Sequence, residues 1–177
     1  MASEETLNIS GLTINPLITQ SIVKSVEDCL QMCNMKVNVV GITRIPVHLP
    51  QAPVTGMIGL SGKCTGFISI TMPERVAYRA VSGLLMEDLK AVNSAVVDGV
   101  GEITNIIAGG LKTKLYNTAW MVNHITIPSV ILGDNYNISF SKGIDYCGIT
   151  FETEDIESLT IHDRVFMVTT SLIQTPG

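Results

Sequence analysis

The sequence predicts an α+β fold in a single domain, with helices packed on a mainly antiparallel sheet, and three observations carry that prediction. Strand-like runs come in blocks instead of alternating with helices: one helix, three strands, two helices, then four strands. The first two helical patterns each begin at a proline, a residue suited to the first turn and to nowhere further in. The chain has 177 residues, 46% hydrophobic and only 15% charged, which fits one domain better than two. A domain this size buries roughly 70% of the surface its unfolded chain exposes, so it holds a core without staples.

Residues 1–12 form a polar lead-in, expected to be flexible, and 13–177 form the folded domain. Asn15-Pro16 reads as an N-cap followed by proline at the first helical position. Ile18, Ile22, Val26, Leu30 and Cys33 then recur at helical spacing, predicting a helix over 16–35. Strands follow at 37–44, 54–60 and 65–72, the last two flanking a hairpin turn at Ser61-Gly62-Lys63-Cys64. Pro73-Glu74 opens a second helix through 86, and a third covers 92–115. Four strand-like runs close the chain, at 123–132, 136–140, 145–152 and 165–173. The acid-rich segment 152–157 suits a solvated turn or short helix start or, less simply, a docking patch.

Composition removes several classes of function. The formal net charge is -5, which leaves nothing to release counterions from a phosphate backbone, so no nucleic-acid partner is expected. Mean hydropathy is +0.36, and three stretches, 6–23, 45–62 and 115–133, lack charges. Each is interrupted by asparagine, glycine or proline, so no membrane span is expected. Met1-Ala2-Ser3-Glu4-Glu5 is acidic where a signal peptide needs cations. Cys29, Cys33, Cys64 and Cys147 form no CxxC pair and no zinc spacing, so no metal site is expected. Cys29 and Cys33, four apart on a helix, read as small buried apolar side chains or, less simply, as a ligand pair. A cytoplasmic protein with reduced thiols fits these observations. His48, His124 and His162 stand far apart in apolar or strand-like surroundings, and no GxSxG, Walker or HExxH pattern occurs. The glycines at 56, 59, 62 and 66 suit turns and close strand packing, not a dinucleotide loop.

The informative segment is the third helix. At about 100° per residue, Glu102, Asn105, Gly109 and Lys112 all fall within roughly 40° of Asp98. Val96, Val100, Ile103, Ile107 and Leu111 gather within about 50° of the opposite pole. A plain solvated face would explain such a stripe. Two features argue instead for a contact surface. Gly99, Gly101, Gly109 and Gly110 each cost about 1 kcal/mol relative to alanine inside a helix. Asp98 and Glu102 are like charges one turn apart, which weakens the helix further.

Asp98-xxx-Glu102-xx-Asn105, followed by Ile-Ile-Ala-Gly109-Gly110, resembles the signature helix of the CheC/CheX/FliY family of chemotaxis phosphatases. Val54-Thr-Gly56-Met-Ile-Gly59-Leu-Ser-Gly62, Gly66-Phe-Ile-Ser-Ile70 and Pro128-Ser-Val-Ile-Leu-Gly133 are similar to other parts of that family, in the same order. The likeness spans about residues 10–175. CheC-like and FliY-like proteins carry the motif twice and CheX-like ones once. The first helix here has Glu27-Asp28 but Leu30 where asparagine is needed, so the chain stands nearest CheX.

The resemblance implies a CheX-like fold and an enzyme that removes the aspartyl phosphate from a CheY-type response regulator. It implies Asn105 as the group that positions an in-line water and Glu102 as the partner of the receiver's lysine. Asp98 would contact the receiver's rim or brace the helix. Gly109 would leave room for a receiver loop, and Lys112 would face solvent or touch the partner. The chain needs no cofactor of its own, because Mg²⁺ arrives with the phosphorylated receiver. A homodimer is implied as well. The alternative from another class is a non-enzymatic, flagellar-switch-type module that binds a receiver without hydrolysis.

Overall fold

A computed structural model describes residues 8–9, 12–13, 15–46, 49, 52–133, 136, 138 and 144–175. In chain order the elements are β1 (Asn8–Ile9), β2 (Leu12–Thr13), α1 (Pro16–Met32), β3 (Val37–Thr43), β4 (Val54–Gly62), β5 (Cys64–Met72), α2 (Glu74–Leu85), α3 (Ser94–Lys114), β6 (Val122–Ile125), β7 (Ser129–Leu132), β8 (Asp145–Thr153) and β9 (Val165–Gln174). Strands β3 to β9 make one antiparallel sheet in the order β3-β8-β9-β5-β4-β6, with β7 also paired to β4. The three helices pack on it. The predicted α+β architecture is therefore the observed one.

Local chemistry sets the helix starts. The Asn15 side-chain oxygen accepts from the amides of Leu17 and Ile18 at 3.1 and 3.3 Å, with Pro16 in the first turn. Asn93 caps α3 in the same way, accepting from the Val96 amide at 3.0 Å. α1 ends earlier than its spacing predicts. Asn34 takes a left-handed φ of 52° and turns the chain toward β3, although Met35 still packs in the core.

Two of the predicted strands differ from the observed ones. The run 123–132 is not one strand but two, β6 and β7, both laid along β4 and separated at Thr126–Pro128. Proline has no amide to donate to the ladder, so pairing breaks there. The expected strand at 136–140 falls mainly outside the described residues, and Tyr136 and Ile138 are in no strand. Of the lead-in, Asn8–Ile9 pairs with Leu12–Thr13, and most of the remainder lies outside the described residues.

The core lies between sheet and helices. Val96, Val100, Ile103, Ile107 and Leu111 of α3 are all buried, against strand residues such as Val54, Ile58, Ile68 and Ile70. Phe151 and Phe166 stack across β8 and β9 with ring centroids 5.3 Å apart. α3 is seated on β4 through Gly56, where a Cβ would clash with the Thr104 hydroxyl and lie 3.3 Å from Val100 Cγ1. That close approach fixes the height and rotation of the helix.

The acid-rich segment 152–157 works as a fastener. Glu152 meets Arg164 at 2.7 Å, and Asp155 accepts from the Lys36 amide at 2.6 Å. These contacts hold β8 to the start of β9 and to the turn after α1.

Candidate active site

The outward stripe of α3 exists as its spacing predicts. Asp98 and Glu102 are exposed, while Asn105, Gly109 and Lys112 are partly exposed. Among the described residues, Asp98, Glu102, Asn105 and Lys112 make no side-chain hydrogen bond or ion pair. Both acids and the amide are thus available to an incoming group. They stand on a rigid support, because the opposite face of α3 is buried and Thr104 donates back to the Val100 carbonyl at 2.6 Å. The two lysines of the last turn differ: Lys114 bonds Asp28 of α1 at 3.1 Å, whereas Lys112 is uncommitted. Lys24 bonds the same carboxylate at 2.9 Å, and these two cations, Lys24 foremost, hold Asp28 below the usual carboxylate range.

The helix glycines do not all mean what their cost suggested. A Cβ at Gly99 would collide with Val81 of α2, lying 2.7 Å from its Cγ2. One at Gly110 would lie 2.9 Å from the Ser25 hydroxyl of α1. Gly101 is buried, with Pro128 Cγ 3.5 Å from where its Cβ would stand. Gly99 and Gly110 therefore serve close packing within the chain, which offsets their helical cost, whereas a Cβ at Gly101 would make only ordinary contact with Pro128. Gly109 is different. A Cβ there meets nothing within 4 Å. That open position and the two exposed acids leave this face of α3 clear of close contacts within the described residues.

The surroundings of the stripe also escaped the sequence. The sequence pattern reads as one strand through 123–132, and nothing in it places a corner at Thr126–Pro128 beside α3. Cys29 of α1 reaches α3 as well, its thiol donating to the Ile103 carbonyl at 3.7 Å. Hydrogen bonding with Cys33, then burial, push the Cys29 thiol up. All four cysteines are buried free thiols, packed as apolar side chains. His124 on β6 and His162 in the connection between β8 and β9 are both exposed, and His48 lies outside the described residues. No group of three metal-ligating side chains occurs among the described residues. An open cleft of about 490 Å³ is lined by Tyr78, Arg79, Ser82, Met86, Asp88 and their neighbours, none of them on α3. No helix among the described residues is long and apolar enough to cross a membrane.

Fold and surface together define a class of domain in which helices packed on an antiparallel sheet present one helix with a polar stripe outward. The family model of the chemotaxis phosphatase CheX matches residues 54–152, and the chain belongs to that family. The chain is similar to the crystal structure of CheX from Vibrio vulnificus, with TM-score 0.74 and 22% identity over 88% of this chain and 99% of that one. CheX from Desulfovibrio desulfuricans gives TM-score 0.73 and 25% identity, covering 88% and 99%. A CheX–CheY–BeF₃–Mg²⁺ complex from Borrelia burgdorferi gives 0.66 and 23%, covering 88% and 95%. No curated protein sequence matches significantly.

Proposed function

We propose that the chain is a phosphatase for the aspartyl phosphate of a CheY-type response regulator, with the outward face of α3 as its active site. The observation that carries this is the pair Glu102 and Asn105. They sit one turn apart on an exposed helix face and are uncommitted within the described residues. Family membership supports the reaction class, and the Borrelia relative, a CheX in complex with CheY, supports the partner.

Two side chains suffice for the chemistry. An acyl phosphate is already activated, and phosphoryl transfer asks for positioning and charge stabilisation more than for covalent steps. The receiver brings Mg²⁺, a lysine and the phosphate pocket. What it lacks is a water held in line with the bond to be broken. Asn105 supplies that, because its amide both donates and accepts and keeps its charge state at all pH values of interest. Glu102 pairs with the receiver's lysine across a closed interface, a charge-assisted contact that fixes docking register. Asp98 stands a further turn back, toward the receiver's rim. Gly109 leaves clearance for a receiver loop, and Lys112 lies at the margin of the contact. A cytoplasmic location and a homodimeric state go with this function.

Phosphate loss from purified phosphorylated receivers, followed with and without the protein, tests the proposal. Acceleration is expected in Mg²⁺. With EDTA turnover stops while the protein's own melting curve stays unchanged, because the metal belongs to the substrate. Binding without acceleration would leave a receiver-binding module of the flagellar-switch type.

A further inference from the structure

The corner between β6 and β7 lies against α3 beside the two acids. Pro128 packs on Gly101, the residue immediately before Glu102, and Val130 approaches the same bare position, its Cγ2 3.8 Å from where a Cβ would stand. The corner is stiff. The Thr126 amide donates to the Gly59 carbonyl at 3.0 Å, and the Gly59 amide donates to the Thr126 hydroxyl at 2.9 Å. That hydroxyl in turn donates to the Ile127 carbonyl at 3.0 Å. On this braced turn Ile127 is 86% exposed.

A single exposed isoleucine is ordinary on a loop that can fold it away. Here three hydrogen bonds through Thr126 brace the backbone of the turn beside the motif helix, so the position from which Ile127 projects is fixed. An apolar anchor carried on a preorganised backbone adds affinity at reduced ordering cost. We propose that Ile127, presented on the Thr126–Pro128 corner, is a second docking element that inserts into an apolar depression of the phosphorylated receiver beside its active site. The proposal rests on the reading of α3 as the receiver-facing surface. It extends that surface from a line of polar groups to a two-sided seat. The helix supplies charge and the catalytic amide, and the corner supplies the apolar grip that sets which receivers fit.

Steady-state dephosphorylation with Ile127→Ala, Ile127→Asp and Ile127→Leu tests it, against wild type and Asn105→Ala. Ile127→Asp is expected to raise KM about tenfold or more, the scale of a lost interface anchor, with kcat retained. Ile127→Ala should fall between, and Ile127→Leu should restore wild-type KM. Equal melting temperatures for all three exclude a folding effect. If wild type is active and Asn105→Ala is not, but KM ignores Ile127, the corner proposal is overturned and the active-site reading stands. If Ile127→Asp changes the oligomeric state and leaves KM alone, the corner belongs to self-association and the proposal fails. If wild type neither binds nor dephosphorylates any receiver, both readings fall together.

Discussion

Asn105 is where the proposed function can be broken without breaking the protein. It lies on the face of α3 opposite the buried Val100, Ile103 and Ile107, and alanine is the better helix former by under about 1 kcal/mol. Asn105→Ala should therefore melt at or slightly above the wild-type temperature and keep most of its receiver affinity. It should lose about 10²–10³ in rate, the usual cost of removing one positioned group from a reacting centre. Stability, binding and phosphate release are separable on one preparation; undiminished hydrolysis would take the water-positioning role away from Asn105. Glu102→Ala differs in kind. It leaves the receiver's lysine unpaired in a closed interface, so about 2–5 kcal/mol should disappear from binding as well as turnover. Unchanged affinity in a titration with phosphorylated receiver would mean that the docking register is wrong.

At the scale of the element, α3 was the most legible part of the chain, because a buried stripe and a polar stripe on opposite poles of one helix leave a clear period in sequence. What the period could not reveal was the use of each glycine. Periodicity places Gly99, Gly109 and Gly110 around the helix but says nothing of which neighbour comes near. Only the fold brings Val81 to the first and Ser25 to the last. Gly99→Val, which drives a branched side chain into Val81, should cost about 1–3 kcal/mol of stability, as overpacking of a well-filled core does. Gly109→Ala should instead stabilise by up to about 1 kcal/mol, since its Cβ meets open space and glycine is the costlier helical residue. Thermal unfolding of the two variants tests both signs. If Gly109→Ala also weakens receiver binding while it raises the melting temperature, its clearance is used by the partner. The α1–α3 link offers a check by pH. Asp28, held low by Lys24 and Lys114, contributes above its unfolded pKa and loses that contribution only as pH falls through its lower folded value. Its carboxyl resonance should accordingly titrate below the ~3.9 of a free aspartate.

For the whole molecule, the sheet's content was legible and its edges were not. Alternation and turn residues mark strands, but nothing local says that β3 ends the sheet or that one proline divides 123–132 into two partners of β4. The end position of β3 has a consequence for assembly. Val39, Val40 and Ile42 are all at least 41% exposed, and within the described residues the strand pairs only with β8. The ladder shifts register between Val39 and Gly41. Edge strands normally carry lysine, glutamate or a covering segment that blocks pairing with another chain, yet β3 has no charged residue between Val37 and Thr43. An isologous antiparallel contact between two copies of β3 would satisfy both edges at once and bury the valines. A homodimer built through this edge makes a testable prediction. Val40→Lys together with Ile42→Lys places like charges against each other across such a two-fold axis. The pair should convert a dimer to a monomer in sedimentation or light scattering without lowering the melting temperature measured at low concentration. The sheet order separates this edge from β4, the strand on which α3 is seated, by β8, β9 and β5. A monomeric variant should then retain wild-type kcat per chain on the phosphorylated receiver. A variant that stays dimeric would move the interface elsewhere, and a monomeric one that loses activity would mean that the partner copy helps build the site.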